Sequence, residues 1–254
     1  MAGSVPRVAL VTGASAGFGA AIARRLLSEG YTVIGAARRL DRLQDLHAEL
    51  GERFSPMVMD VTDPASVEQG YTWIRERFAG LDVLVNNAGL ALGVAPAHEA
   101  KMADWERMIA TNVLGLTRLV HCVLPDMVKR NQGHIINIGS TAGNHPYPGG
   151  NVYGATKAFV RQLSLNLRAD LWGTRVRVTN IEPGLCGGTE FSLVRLGDQA
   201  HAKAVYEGTD PLTADDIADA VAWVATRPAR VNINTLELMP VSQAFAGMKI
   251  HRES

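Results

Sequence analysis

Short runs rich in Val, Ile, Leu and Ala recur along the chain at 7–12, 31–37, 56–60, 81–86, 134–139, 175–180 and 233–238. Most are nearly continuous in apolar residues rather than alternating. That is the pattern of strands covered on both faces, as in a parallel sheet held between helices. Between these runs, apolar residues return at helical spacing over 17–29, 41–50, 64–78, a long stretch within 101–129, 153–171 and 213–226. The last stretch carries Asp215 and Asp216 in its first turn, where carboxylates suit the positive end of a helix dipole. Seven strands alternating with helices predict one domain over residues 1–254: an α/β fold with a doubly wound sheet of about seven parallel strands and helices on both faces. No repeat, linker or low-complexity segment breaks it. The stretch at about 184–210 reads as an irregular insertion with a short helix, the kind of segment that forms a lid, and about 240–254 reads as a tail beyond the last strand.

Composition narrows the partners. The chain of 254 residues is 47% hydrophobic and 20% charged, enough to bury a real core, and its formal net charge of zero steers it towards neither nucleic acid nor an anionic membrane. A small-molecule partner is expected. Cys122 and Cys186 show no CxxC spacing and read as ordinary thiols of a reducing compartment. The N-terminus lacks a basic stretch followed by an apolar one, and no apolar run is read as approaching the ~20 residues of a bilayer span. The expected location is the cytoplasm.

The first run leads into Thr12-Gly13-Ala14-Ser15-Ala16-Gly17-Phe18-Gly19, and a helical pattern follows at once. Glycines let a backbone turn tightly and approach a pyrophosphate, and a helix N-terminus offers free N–H groups and partial positive charge. A plain tight turn would show the same residues, but the strand and helix flanks favour a dinucleotide. The second run ends at Arg38-Arg39, where an NAD-binding domain usually places an acid for the ribose 2′-hydroxyl. Guanidiniums there suit a 2′-phosphate instead, so NADP(H) is the predicted cofactor with Arg38 and Arg39 on that phosphate. The competing reading is a solvated charge pair ahead of a helix.

Tyr153 and Lys157 are four residues apart on a helical stripe, so phenol and ammonium can share one face. A free tyrosine has a pKa of ~10, and a nearby cation favours phenolate, which would tune the group for proton exchange with a carbonyl or alcohol oxygen. Ser140, just past a buried-looking strand, stands where active-site groups of such sheets collect. No histidine or cysteine spacing suggests a metal site.

These markers, together with Asn86-Asn87-Ala88-Gly89, Asn112, the Tyr153–Lys157 pair and Pro183-Gly184, make the chain resemble the short-chain dehydrogenase/reductase family over essentially its whole length. The resemblance implies a Rossmann-like fold and hydride transfer with a nicotinamide cofactor. It implies Tyr153 as general acid/base, Lys157 lowering the tyrosine pKa and holding the nicotinamide ribose, and Ser140 hydrogen-bonding the substrate oxygen. Asn112, by itself an ordinary polar residue of a helix, would support Lys157 through a water. Gly13, Ser15, Gly17, Phe18 and Gly19 would hold the phosphates, Asp60 and Val61 would border the adenine, and Asn87 would sit near its ribose. Gly89, Pro183 and Gly184 would complete the cofactor contacts. Tetramers built through the helices at 101–129 and 153–171 are also implied.

Longer stretches at 81–93, 133–143, 150–162, 181–185 and 232–241 resemble the bacterial NADP-dependent 3-hydroxy acid dehydrogenases. Those act on serine, allo-threonine, 3-hydroxypropionate and the matching semialdehydes, and similar enzymes reduce sulfoacetaldehyde to isethionate. A small anionic carbonyl or alcohol is therefore the expected substrate. Arg195, in the expected lid, could clamp a carboxylate or sulfonate by its fork, or could equally be an exposed arginine without a ligand. The loop at 144–150, with His145, Tyr147 and Pro148, is expected to line the substrate side, and Tyr147 joins Ser140, Tyr153 and Arg195 as a candidate substrate contact. The tail, with Gln243, Phe245, Lys249, His251 and Arg252, is read as ordered, covering the site or reaching a neighbour. Two other functions stay open: a non-catalytic NADP(H)-sensing module, against which the intact Ser140, Tyr153 and Lys157 argue, and a reductase of another carbonyl class, such as ketoacyl or steroid substrates, for which no long apolar channel is marked.

Overall fold

Central strands with protein on both sides carry no polar face. Val8–Thr12 (β1) and Gly133–Ile138 (β5) are buried at every position. The other strands are Thr32–Ala37 (β2), Phe54–Val58 (β3), Val83–Asn86 (β4), Val176–Pro183 (β6) and Thr235–Leu238 (β7). The computed structural model describes residues 7–245, and within them these strands form one sheet in the order β3-β2-β1-β4-β5-β6-β7. Every neighbouring pair is parallel.

The pleat sorts side chains between two helical layers. Ala9 and Val11 of β1 join a core with residues of the helices Gly17–Ser28 (α1), Leu40–Leu50 (α2) and Ala214–Ala225 (α9). Val8 and Leu10 join the opposite core with Pro64–Arg77 (α3), Leu116–Arg130 (α5) and Asn151–Asp170 (α6). Met102–Ile109 (α4) enters α5 through a π-helical turn, Ala110–Gly115. Asp216 closes a capping box with Thr213 at the start of α9, which explains one of the two acids read there.

Four expectations are corrected. The third strand lies two residues earlier than read: Pro56 sits inside it, opposite Gly35, because β3 is the sheet edge and an edge strand tolerates a missing N–H. β6 runs on to Pro183 because β7 pairs alongside it from Asn180 to Pro183. The helical segment Met102–Arg130, 29 residues with a window of mean hydropathy 1.3, is long and apolar enough to cross a membrane by those two measures, against the reading that no stretch approaches a span. Its apolar content has a core role: Leu116, Leu119, Val120, Val123 and Met127 are buried in the second core. The stretch read as an irregular insertion with one short helix holds two, Phe191–Leu196 (α7) and Gln199–Ala204 (α8).

From β1 the chain runs outward through β2 to β3 at one edge, then returns to β4 on the other side of β1, so the strand order reverses there. In such sheets this switch point opens a crevice beyond the carboxyl ends of the strands.

Candidate active site

At the end of β1 the backbone turns with Gly13 at φ +67° and Gly17 at φ +52°, a region that suits glycine. Gly19 is forced by contact: a Cβ there would lie 2.2 Å from the Gly13 carbonyl oxygen. This close packing brings the first turn of α1 against the loop. The N-cap residue, Ala16, supplies no side-chain cap, so the first N–H groups of α1 keep their capacity for an anion. Asn87 pins the loop from β4, its Nδ2 donating to the Thr12 carbonyl at 2.8 Å.

Beside the turn, the Arg39 guanidinium donates to the Ser15 hydroxyl at 3.1 and 3.3 Å and forms an ion pair with Glu190 at 3.0 Å. Arg38 is exposed and faces the same crevice. Asp60 accepts from the Thr62 N–H and hydroxyl. Burial disfavours its charge, but those bonds and the field of Arg38 outweigh it and hold the carboxyl below its ordinary range.

The catalytic candidates meet at the far end of the crevice. Ser140 lies two residues beyond β5 as N-cap of the 3-10 turn Thr141–Gly143, its hydroxyl oxygen accepting from the Ala142 N–H at 3.1 Å. Tyr153 and Lys157 lie one turn apart in α6 and are both buried. Burial pushes the Tyr153 phenol up to about 12, while the Ser140 hydroxyl and the Arg195 guanidinium pull it the other way. The Lys157 ammonium donates to the Ile138 carbonyl at 2.8 Å, 5.8 Å from the centre of the Tyr153 ring, and burial lowers its own pKa to about 8. Asn112 is buried in the π-helical turn. It accepts from the Leu90 N–H at 2.9 Å and donates to the Leu90 carbonyl at 2.8 Å and to Thr156 at 3.0 Å. It thereby fixes the chain next to Gly89, where a Cβ would lie 3.6 Å from Lys157 Nζ.

Arg195 reaches the same end from α7. Its guanidinium donates to the Tyr147 hydroxyl at 2.9 Å and to the Gly93 and Gly149 carbonyls, with its central carbon 5.6 Å from the Tyr153 ring centre. Phe191 packs on Tyr153 at 5.8 Å between ring centres. From the tail, Gln243 accepts from the Leu185 N–H at 2.7 Å and the Phe245 ring lies 4.2 Å from His145. Lys249, His251 and Arg252 lie outside the described residues.

One cavity of about 790 Å³ joins these parts, from Arg38, Arg39 and Val61 past Gly13, Ser15, Gly17 and Phe18 to Ser140, Tyr153 and Lys157. Gly89, Asn87, Pro183, Gly184, Tyr147, His145 and Arg195 also face it. Gly19, Asn112 and Pro148 do not, Gly19 and Asn112 standing behind the wall. The donors suit a dinucleotide phosphate: two guanidiniums and a hydroxyl at one end, backbone N–H groups at the glycine turn, and an ammonium beside the phenol. Among the described residues no His, Cys, Asp and Glu gather in threes to hold a metal ion. Sequence reasoning missed Glu190, Thr156 and Phe191, whose partners lie far along the chain or on an element of irregular pattern.

A parallel sheet with this order, a glycine turn at its switch point and a Ser–Tyr–Lys group beyond its strand ends define a nucleotide-binding oxidoreductase fold. The chain belongs to the short-chain dehydrogenase family, whose model matches residues 7–200. The NADP-dependent 3-hydroxy acid dehydrogenase YdfG of Salmonella typhi is 60% identical over 246 residues, 96% of this chain and 99% of the relative. The serine 3-dehydrogenase of Agrobacterium fabrum is 52% identical over 96% of this chain and 98% of the relative. The closed form of a serine dehydrogenase complexed with NADP+ superposes with a TM-score of 0.95 at 57% identity, covering 97% of this chain and all of that one. The serine dehydrogenase of Escherichia coli superposes at 0.83, with 53% identity over 94% of this chain and all of that one.

Proposed function

We propose that the chain is an NADP(H)-dependent dehydrogenase that interconverts small 3-hydroxy acids, such as serine and 3-hydroxypropionate, with the corresponding 3-oxo acids. The observation that carries this reading is the Arg195 guanidinium held 5.6 Å from the Tyr153 ring, on the same cavity as Ser140. A fixed cation close to a proton donor suits a substrate with a carboxylate one short arm from its carbonyl.

Hydride is the chemistry the dinucleotide supplies when bound. The residues of the chain do the rest. Tyr153, protonated at neutral pH, gives its proton to the carbonyl oxygen in reduction and takes it from the alcohol in oxidation. Ser140 hydrogen-bonds that same oxygen. Arg195 pairs with the carboxylate, and Tyr147, already its partner, keeps the fork aimed. Lys157 holds a ribose hydroxyl, with Asn112 fixing the backbone behind it. Arg38, Arg39 and Ser15 hold the 2′-phosphate, and the turn from Gly13 to Gly19 holds the pyrophosphate. The apolar side chains of Ile109, Leu114 and Phe159, exposed on the helical layer, support assembly of several copies through these helices.

Steady-state kinetics test the reading. Wild-type protein should oxidise NADPH with malonic semialdehyde and reduce NADP+ with serine or 3-hydroxypropionate. Arg195→Ala should raise KM for the acid substrates about 10–100-fold, the worth of a charge-assisted pair, and change KM for a neutral aldehyde little. Equal effects on charged and neutral substrates would refute the clamp. Sulfoacetaldehyde belongs in the same panel, since a higher kcat/KM for it than for malonic semialdehyde would shift the assignment to the sulfonate.

A further inference from the structure

The Arg39 fork, assigned above to the cofactor's 2′-phosphate, already holds an anion of the chain's own. Nη2 and Nη1 of Arg39 face the two carboxylate oxygens of Glu190 at 3.0 and 3.4 Å, while Nε and Nη2 donate to Ser15. Glu190 comes from a segment 151 residues further on. Its position is set by packing: the neighbouring Thr189 would touch a Cβ on Gly17 at 3.4 Å, so the segment lies against the glycine turn. Glu190 and Arg39 both face the cavity.

We propose that Glu190 is a specificity-determining residue that restrains the preference for a phosphorylated cofactor. The inference rests on the NADP(H) reading of the site. A 2′-phosphate dianion taking the Arg39 fork must either displace the carboxylate or lie against it, and both outcomes weaken binding. A cofactor with a free 2′-hydroxyl meets no such opposition, because a neutral hydroxyl can donate to the same carboxylate. Glu190 therefore acts selectively against the phosphorylated form, and it ties the α7 segment to the state of Arg39. Both partners are about half exposed, with side-chain accessibilities of 44% and 46%, so the effect is moderate and salt-sensitive rather than absolute.

The test is calorimetric titration of the full chain with 2′,5′-ADP and with 5′-AMP, fragments that differ only in the 2′-phosphate. Glu190→Gln, which keeps size and hydrogen bonding, should tighten 2′,5′-ADP about fivefold at low salt, leave 5′-AMP unchanged, and lose most of that gain at high salt. In an Arg39→Ala background the same change should gain less, because the fork it frees is gone and only direct repulsion is relieved. If Arg39→Ala weakens 2′,5′-ADP but Glu190→Gln leaves the ratio of the two affinities unchanged or lowers it, the inference is overturned while the cofactor reading stands. If Arg39→Ala leaves 2′,5′-ADP binding untouched, the phosphate assignment itself falls, and this inference with it.

Discussion

Tyr153 and Lys157 share a helix face, yet their polar ends have different partners: the phenol has Ser140 and the field of Arg195, and the ammonium has the Ile138 carbonyl. The four-residue spacing made the pair legible in the sequence. Burial is the largest influence on the phenol and pushes it up to about 12, against the pull of Ser140 and Arg195. A phenol in that state keeps its proton through neutral pH, which suits an acid giving a proton to a carbonyl. Reduction uses the protonated form, so its kcat/KM should be level across neutral pH and fall as Lys157 loses charge near about 8. Oxidation must remove a proton, so its rate should climb with pH through neutrality and flatten where Lys157 loses its charge. A pH series in both directions checks this, and a reduction rate that rises with pH would contradict it. Glu190 was not legible at this scale: nothing local to residue 190 signals a partner at Arg39, because an ion pair across 151 residues depends on how the whole sheet folds.

Among the elements, the strands were read from unbroken apolar runs and the helices from period, and both signals are local. What escaped depended on position in the sheet. Pro56 argues against a strand only when that strand needs its N–H, and an edge strand does not. The insertion was read with one unplaced short helix, and the bounds of α7 escaped because its apolar residues form no core stripe: Phe191 packs on Tyr153, while Leu193 and Val194 stay exposed. The π-helical turn at Ala110–Gly115 had no sequence signal beyond Asn112, and such turns often mark functional sites. It aims a buried amide at both polar groups of Leu90. Asn112→Leu should leave those groups unpaired at about 1–3 kcal/mol each, lowering the thermal midpoint along with kcat. A midpoint unchanged on melting would show that the amide does not organise this strand end.

At the scale of the whole molecule, two core layers fix the sheet, the sheet order fixes the crevice, and segments from residues 13 to 245 meet around it. The division of labour that matters most is between the phenol at the end of that crevice, which moves the proton, and the rest of the cavity, which would hold the cofactor. Tyr153→Phe separates the two, since it removes one hydroxyl and leaves the packing of the ring. The decisive measurement pairs turnover with thermal melting of this variant in the presence and absence of NADPH. The expected result is a loss of about 10²–10⁴-fold or more in kcat with the NADPH-induced rise in melting temperature kept at its wild-type size. Turnover close to wild type in that variant would contradict the mechanism outright.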